Sequence, residues 1–496
     1  MRVKKDNTCK SQTSPESGKI LNKVNVRYYC VLLALMLLFV IYTATKFPYT
    51  YITAEGDNFW VMTWDFWLQK LTMPPALTNW VTDYLFQFFA SPYMAACIHA
   101  LVLGSMGVLA YRVLLRLCHK RQFLVWLGIL PPVFLGLYST FSLSFQLQCL
   151  FFFCLVMAYL LISNVRGKLF WSILCVPFGF LLLKTPLLFL LLLCHAALAF
   201  KLYGAKQSLY WVLPLILLSV TPKIYSQQVA FIPFKYRYTH VGSYFDFITS
   251  RYTASGEYVK KLVYLSNEQR WGDLLYKEHI KSDAQRGNVT ALRYALLAES
   301  ALGTLPENLF EYPITDENYF FYPHERGYIS LQFNRLFYLN LGIYDEAFHQ
   351  AQEYGLQMTN GNCFSSLRQM IDYSIEEQEW EVADKYLQIL AKSSCHKDFI
   401  EKRRTMMLAA MKNQGKNVPL RADNFVGGYP LPVEMLRLAR YYQDSPNRKK
   451  MLDYAICAYI LRGDKRSFQI AVKAFDIYRT DNLPRAYREF MNIKPE

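Results

Sequence analysis

Carboxylates are nearly absent from the first part of this chain, and that absence restricts what it can fold into. Between residues 28 and 221 only four occur, Glu55, Asp57, Asp65 and Asp83, and all four lie between the first two apolar segments. A charged side chain near hydrocarbon costs at least ~2.5–3.5 kcal/mol. The sequence therefore predicts membrane-spanning helices, and the four acids mark a loop at the membrane edge where chemistry is expected.

The apolar segments predict seven membrane-spanning helices. They cover residues 29–46, 92–115, 122–138, 143–163, 169–183, 187–200 and 208–221. A span needs about 20 residues, so the fifth and sixth segments are short, and one helix in their place is the alternative. Basic residues in every second loop predict a cytoplasmic N-terminus. Seven crossings then put the rest of the chain on the far side of the membrane, whereas six would leave it in the cytoplasm.

The charge is unevenly distributed and divides the chain into parts. Residues 1–221 carry 18 basic and 6 acidic side chains, and the remainder carries 36 and 32. Most of the net charge of +16 therefore belongs to membrane-flanking loops, so it indicates topology and not binding to nucleic acid. We predict a cytoplasmic basic leader at 1–27, a transmembrane domain at 28–225 with an outer acidic loop at 47–91, and a periplasmic helical domain at 226–496.

The sequence of residues 226–496 predicts paired helices, so we predict that the whole chain is all-α. Tyr344 and Trp380 are 36 positions apart, and each is followed three residues later by an alanine, Ala347 or Ala383. This spacing is close to the period of tetratricopeptide repeats, and Gly342 lies where such a repeat turns between its helices. Looser copies occur near Trp271 and Phe468. A polytopic membrane helix bundle is thus followed by a tetratricopeptide-like solenoid, with a generic helical bundle as the alternative.

The outer loop predicts two short helices at the membrane surface. Residues 58–72 carry four large apolar side chains at helical spacing on one face: Trp60, Trp64, Trp67 and Leu71. Such a face is typical of an interfacial helix. A proline pair, Pro74 and Pro75, ends this helix, and residues 76–89 form the second one, which leads into the next span.

Each acid of the loop also has an ordinary structural explanation. Asp57 stands before the first predicted helix and could cap it by accepting backbone N–H bonds. Asp65 could be a solvent-facing residue of that helix, and Asp83 and Glu55 are predicted to lie at the surface. Asp57 nevertheless stands out, because it follows the first span closely and has aromatic neighbours.

Residues 27–225 resemble the GT-C superfamily of polyprenol-linked glycosyltransferases. The similarity consists of a first span, an acid soon after it (Asp57), interfacial helices, a Pro-containing segment at Thr72–Leu77 with Trp80, and a second span ending in YRVLLRLC. Those enzymes carry a catalytic Asp or Glu in their first outer loop. Some related protein O-glycosyltransferases add exported tetratricopeptide repeats thought to hold the acceptor. The chain is also similar to an uncharacterised family of bacterial inner-membrane proteins.

The resemblance implies roles for the outer acids and for nearby cations. Asp57 would be the general base that takes the proton of the attacking hydroxyl, with Asp65 assisting it or holding a divalent cation such as Mg or Mn. Lys184, Lys235 and Arg237 would stabilise the departing phosphate. Alternatively, these cations reach lipid headgroups, as basic residues at membrane edges commonly do. The second outer loop, YSTFS at 138–142, has no acid, which leaves metal dependence open.

The predicted activity is the transfer of a sugar or glycan from a polyprenyl phosphate or diphosphate to an exported acceptor, most plausibly Ser or Thr of a protein. Tyr344 and Trp380 would dock that polypeptide, because stacked helices commonly bind polypeptide. The alternative is a membrane-anchored scaffold whose helical repeats assemble envelope proteins. A transporter is disfavoured, because the predicted spans contain almost no ionisable side chains besides His99 and His195.

Overall fold

The chain forms two compact units. The computed structural model describes residues 15–72, 74–118, 122–138, 142–228, 254–322, 327–358, 361–393, 395–412, 431–477 and 483–492, and these ranges contain helices and no β-strand, as the sequence predicts. Unit 1 comprises Met1–Pro48 and Trp64–Tyr252, and unit 2 comprises Tyr49–Thr63 and Thr253–Glu496. Part of the predicted outer loop, Tyr49–Thr63, belongs to unit 2, and the rest of that loop belongs to unit 1.

The helices of the first half are α1 Pro15–Lys46, α2 Pro48–Gly56, α3 Trp64–Leu71, α4 Ala76–Phe86, α5 Pro92–Leu117, α6 Leu130–Tyr138, α7 Leu143–Leu161, α8 Val165–Leu182, α9 Thr185–Tyr203, α10 Ala205–Ser208 and α11 Val212–Gln228. Each predicted apolar segment contains helix, and four short helices, α2, α3, α4 and α10, lie between the segments. Within the described residues, five stretches are long and apolar enough to cross a membrane: Val26–Lys46, Pro92–Leu117, Leu143–Leu161, Val165–Leu182 and Thr185–Tyr203. The predicted spans 122–138 and 208–221 are also helical, but their helices are shorter or partly 3₁₀.

The fifth and sixth apolar segments are two helices and not one. Leu183 and Lys184 are extended between α8 and α9, and Pro186 stands in the first turn of α9, where its missing N–H costs nothing. A Cβ atom at Gly179 would lie 2.4 Å from Cδ1 of Leu188. The glycine therefore allows the two helices to approach closely, and the single-helix alternative is wrong.

The two histidines of the spans are bonded to neighbouring helices. Nδ1 of His99 lies 2.8 Å from Oε1 of Gln146, and Nδ1 of His195 lies 3.1 Å from the hydroxyl of Ser172. The ring of His195 also stacks on Tyr159 with centroids 4.2 Å apart. Both imidazoles hold helices together in the interior of unit 1.

The outer loop forms two short helices, but the first is shorter than predicted. Residues 58–63 are not helical, and α3 begins only at Trp64. Its buried side chains are Phe66 and Lys70, whereas Trp64 is 71% exposed. Helix α4 is close to its predicted bounds, and its Asp83 forms a buried ion pair with Lys70. The prediction of a surface position for Asp83 was therefore wrong.

Unit 2 is built from helical hairpins. Its helices after α2 are α12 Ala254–Asn267, the π-helix Asp273–Lys277, α13 Ile280–Gln285, α14 Val289–Leu302, α15 Leu305–Asn308, α16 Tyr328–Leu341, α17 Tyr344–Leu356, α18 Phe364–Glu376, α19 Trp380–Leu390, α20 Lys397–Lys412, α21 Pro432–Tyr441, α22 Arg448–Arg462, α23 Lys465–Ala474 and α24 Arg485–Asn492. Several turns between neighbouring helices contain a residue with positive φ, at Gly303, Gly342, Gln378 and Gly463. A left-handed residue at a helix end allows the next helix to fold back.

The predicted hairpin positions are confirmed at residue level. Gly342 has φ +77° between α16 and α17, and a Cβ atom there would lie 2.2 Å from Nδ2 of Asn447. Ala347 and Ala383, the two alanines of the predicted repeat, are fully buried. Small residues at these positions allow the second helix of each hairpin to pack closely on its neighbours.

Candidate functional site

The candidate acids are carried by α2, whose N-terminus is capped by a residue far away in the sequence. The carboxylate of Glu257 accepts hydrogen bonds from the backbone N–H groups of Tyr49 (2.8 Å) and Thr50 (2.9 Å), and from the hydroxyl of Thr50. The first N–H groups of a helix have no partner within the helix, and the N-terminal end favours negative charge. Glu257 therefore fixes α2 to α12 and sets the position of the residues that follow α2.

Removing this cap is expected to loosen α2. The variant Glu257→Ala should lower the free energy of unfolding by about 2–3 kcal/mol, because it removes an ionised acceptor from two backbone N–H groups and a hydroxyl. The thermal unfolding midpoint should fall, and hydrogen exchange of the peptide 48–58 should accelerate. A matched control is Glu381→Ala, which removes an exposed acid from the first turn of α19. Equal behaviour of the two variants would contradict a capping role for Glu257.

Asp57 lies directly after α2 and not before a helix. Its backbone N–H donates to the carbonyl of Thr53 (2.8 Å), which continues the turn of α2, so the N-cap interpretation was wrong. The hydroxyl of Tyr354 donates to Oδ1 of Asp57. Burial raises the pKa of Asp57 to about 6, while the Tyr354 hydrogen bond and the charge of Lys260 act in the opposite direction. The group is thus enclosed and bonded, with a pKa close to neutrality.

Glu55 is enclosed as well, so its predicted surface position was wrong. Its side chain is 12% exposed, and Oε1 lies 3.8 Å from Nδ1 of His396. Burial, with a contribution from the charge of Asp57, raises the pKa of Glu55 to about 7, and the charge of Arg368 opposes this. Burial lowers the pKa of His396 to about 4. At neutral pH the imidazole is therefore uncharged and the carboxyl group partly protonated, so this contact is polar and not an ion pair.

Both acids line a cavity of about 330 Å³ that lies entirely within unit 2. Its walls come from α2, α12, α16, α17, α18 and α20, and they combine acidic, basic, amide and aromatic side chains. The basic residues are Lys260, Arg335, Arg368 and Arg403, and the acidic residues besides Glu55 and Asp57 are Glu268, Asp372 and Glu376. The volume is at the lower end of the range for small-molecule sites, about 300–1,000 Å³.

Two of the arginines in the cavity have acidic partners. Arg403 forms a close ion pair with Asp372, with its Nη2 donating at 2.8 Å. Nη2 of Arg368 lies 3.8 Å from Oε1 of Glu268. Burial raises the pKa of both Asp372 and Glu376. The carboxyl groups of Asp372 and Glu376 therefore ionise less readily than surface acids do, although cations lie near them.

The predicted site residues are only partly brought together. Asp57 and Tyr344 line the cavity, whereas Trp380, the half-buried first residue of α19, does not. Asp65 is an exposed residue in the first turn of α3, and Lys184 precedes α9 with its backbone N–H donating to Oε1 of Gln148 (3.0 Å); both belong to unit 1. Lys235 and Arg237 lie outside the described residues.

The described residues do not fit a divalent metal ion. No group of three or more His, Cys, Asp or Glu side chains within them could hold one. Asp65, the predicted metal ligand, is exposed.

Several residues of the cavity wall were not singled out by the sequence. Tyr354 and Lys260 are ordinary helical residues until the fold brings them to Asp57. Arg335 carried a usable signal, because it is a lone charge in the apolar run LQFNRLFYLN of α16. A charge within a hydrophobic helix of a polar domain is unusual enough to indicate a buried role.

A family model described as "Family of unknown function (DUF6057)" matches residues 22–493. The match thus covers nearly the whole chain, including both units. Neither a curated protein nor a solved structure matches the sequence.

Proposed function

We propose that this chain, which belongs to the DUF6057 family, is a membrane transferase. It moves a sugar or glycan from a polyprenyl phosphate or diphosphate to a hydroxyl group of an exported acceptor. Ser or Thr of a protein is the favoured acceptor. The observation that supports this is the environment of Asp57, which lines a cavity and has a pKa raised to about 6. A carboxylate with that pKa is mostly ionised at pH 7 and is a better base than a surface aspartate.

The reaction proposed for this cavity needs a base and a counter-charge. The acceptor oxygen forms a bond to the anomeric carbon while the bond from that carbon to the donor phosphate breaks. Asp57 takes the proton of the hydroxyl, and the phosphate leaves with the bonding electron pair. Lys260 and Arg368 line the same cavity as Asp57, so they are better candidates than Lys184 for stabilising the charge on the phosphate.

A second carboxyl group supports Asp57 in this proposal. Glu55 takes the assisting role that the sequence suggested for Asp65, because it lines the cavity and Asp65 does not. Its pKa of about 7 means that it exchanges a proton readily near neutral pH. It can therefore hold a proton released in the cavity at neutral pH.

The two units would divide the binding of the substrates. The apolar helices of unit 1 would hold the polyprenyl chain in the bacterial inner membrane, with the N-terminus in the cytoplasm and unit 2 in the periplasm, as the basic loops favour. The helical hairpins of unit 2, as a tetratricopeptide-like solenoid, would dock the acceptor polypeptide. Tyr344 is the stronger of the two predicted docking residues, because it lines the cavity.

The test compares the glycans of exported proteins in cells that carry the wild-type chain, the Asp57→Asn variant or a deletion. Membrane levels of the variant are checked by blotting. We expect both altered strains to lose the same glycans, because the transfer would lack its base. If neither strain changes its glycans, the proposed transfer is contradicted.

A scaffold for envelope proteins is the second candidate function, and one observation favours it. The contacts of the 57–58 segment also fasten α2: Tyr354 bonds Asp57, and the backbone N–H of Phe364 donates to the carbonyl of Asn58 (3.1 Å). An acid that only anchors this segment can be replaced by asparagine, whose side-chain oxygen still accepts from Tyr354. A scaffold therefore predicts that deletion has an effect in cells and that Asp57→Asn has none.

A further inference from the structure

One arginine of the cavity is buried without an anionic partner. Arg335 is 1% exposed. Its Nε donates to Oε1 of Gln332 (3.2 Å), Nη1 donates to the hydroxyl of Tyr373 (2.6 Å), and Nη2 donates to Oδ1 of Asn267. All three acceptors are neutral oxygens, and no carboxylate of the described residues forms an ion pair with this guanidinium group.

An uncompensated buried charge is costly, and arginine cannot relieve the cost by losing its proton. Arg403 and Arg368, in the same cavity, both have carboxylate partners, at Asp372 and Glu268. A guanidinium group has five N–H donors, and three of those of Arg335 are used. Two donors and a full positive charge therefore remain for an anionic group of a ligand.

A second polar atom of the cavity wall also lacks a partner. Oε1 of Gln369 is buried and accepts no hydrogen bond, while its Nε2 donates to the hydroxyl of Ser365 (3.2 Å). Gln369 is 8% exposed and lines the cavity. A buried acceptor without a hydrogen bond is unfavourable, so this oxygen is suited to a hydroxyl group of a ligand.

The charge available at Arg335 restricts the kind of anion. The other two arginines of the cavity wall, Arg368 and Arg403, already have carboxylate partners. A doubly charged phosphate at Arg335 would bring two charges to one guanidinium group. A carboxylate brings one charge, and its two oxygens match the two remaining donors of Arg335.

We propose that this cavity binds a sugar bearing a single carboxylate, with Arg335 holding the carboxylate and Gln369 accepting a hydroxyl. A uronic acid is the simplest member of this class. The cavity volume of about 330 Å³ suits a ligand of sugar size, and Tyr264 and Tyr344 supply aromatic surface beside the polar groups. The choice of a sugar rests on the proposed glycosyl transfer, whereas the choice of a carboxylate rests on Arg335 alone.

The test measures binding to the full chain in detergent micelles by titration calorimetry. The probes are sodium D-glucuronate, neutral D-glucose and inorganic phosphate. We expect glucuronate to bind at least about tenfold more tightly than either of the other two, because only glucuronate offers both one negative charge and hydroxyl groups. Equal binding of glucuronate and glucose, tighter binding of phosphate, or no binding of glucuronate at millimolar concentration would each overturn the proposal.

Variants assign the effect to the named residues. Arg335→Met should weaken the binding of glucuronate at least about tenfold and leave the binding of glucose unchanged. Arg335→Lys should bind glucuronate with an affinity between those of Arg335→Met and the wild type. Gln369→Leu should weaken the binding of both sugars. Arg293→Met is the matched control, because Arg293 donates to the backbone carbonyl of Asn318 (2.9 Å) and does not line the cavity. If Arg335→Met binds glucuronate as tightly as the wild type does, the proposal is contradicted. The comparison of the three ligands uses the wild-type chain, so it does not depend on whether a variant folds.

The same titration separates this proposal from the proposed function. Asp57→Asn should still bind glucuronate, although it should not restore the glycans of exported proteins. Glycan loss in Asp57→Asn cells together with absent glucuronate binding overturns the carboxylate subsite and leaves the transferase standing. Glucuronate binding together with unchanged glycans supports the subsite and overturns the transferase.

Discussion

Replacing Asp57 with asparagine is expected to lower the rate of sugar transfer by about 10²–10⁴-fold, the usual contribution of a general base. The rate is measured as initial incorporation of labelled sugar into exported protein by permeabilised membranes that contain the full chain. Asparagine preserves the size of the side chain and an acceptor for Tyr354, so the loss reports the missing base and not a displaced helix. The wild-type rate should rise with pH through about 6, where Asp57 loses its proton, and the residual rate of the variant should lack this rise.

Two further variants test whether the base is Asp57. Tyr354→Phe removes a hydrogen bond that lowers the pKa of Asp57, so the rising limb of the pH profile should move to higher pH. Asp65→Asn is the matched control, because Asp65 is exposed on α3 and does not line the cavity. A wild-type rate from Asp57→Asn, or a large loss from Asp65→Asn, would contradict the assignment.

The variant Lys70→Met is expected to lower the free energy of unfolding by about 3–5 kcal/mol, because it removes the cation of a buried ion pair with Asp83. The side chains of Lys70 and Asp83 are 3% and 9% exposed, so water cannot replace the lost partner. The measurement is the thermal unfolding midpoint of the full chain in micelles, with an equilibrium titration in denaturing detergent for the free energy.

The double variant Lys70→Met with Asp83→Leu should recover most of this loss, because replacing a buried ion pair by apolar side chains is often neutral. Lys206→Met is the matched control, since Lys206 is exposed in α10. If Lys70→Met and Lys206→Met unfold at the same temperature, the ion pair does not stabilise unit 1.

The four outer acids show that burial of a charged side chain is difficult to predict from sequence. Their number and position indicate an unusual loop, but the sequence predicts surface positions for Asp83 and Glu55, which are buried or partly buried. A signal for Asp83 was present, because Lys70 is the one basic residue between 47 and 91. The sequence near Glu55 contains no such signal for its burial, because its neighbours in the structure, His396 and Arg368, are more than 300 positions away.

Most helices of this protein could be predicted from its sequence, because hydrophobic pattern and turn chemistry are local properties. Apolar runs marked the spans and Gly342 marked a hairpin turn. The sequence left open whether α8 and α9 are one helix or two, and the extended Leu183 and Lys184 show that they are two. The tertiary structure alone decided which charges are buried and with what partners. Glu257 reaches α2 across 207 positions and Tyr354 reaches Asp57 across 297, so the cavity, the raised pKa of Asp57 and the unpaired Arg335 all depend on distances that no local pattern contains.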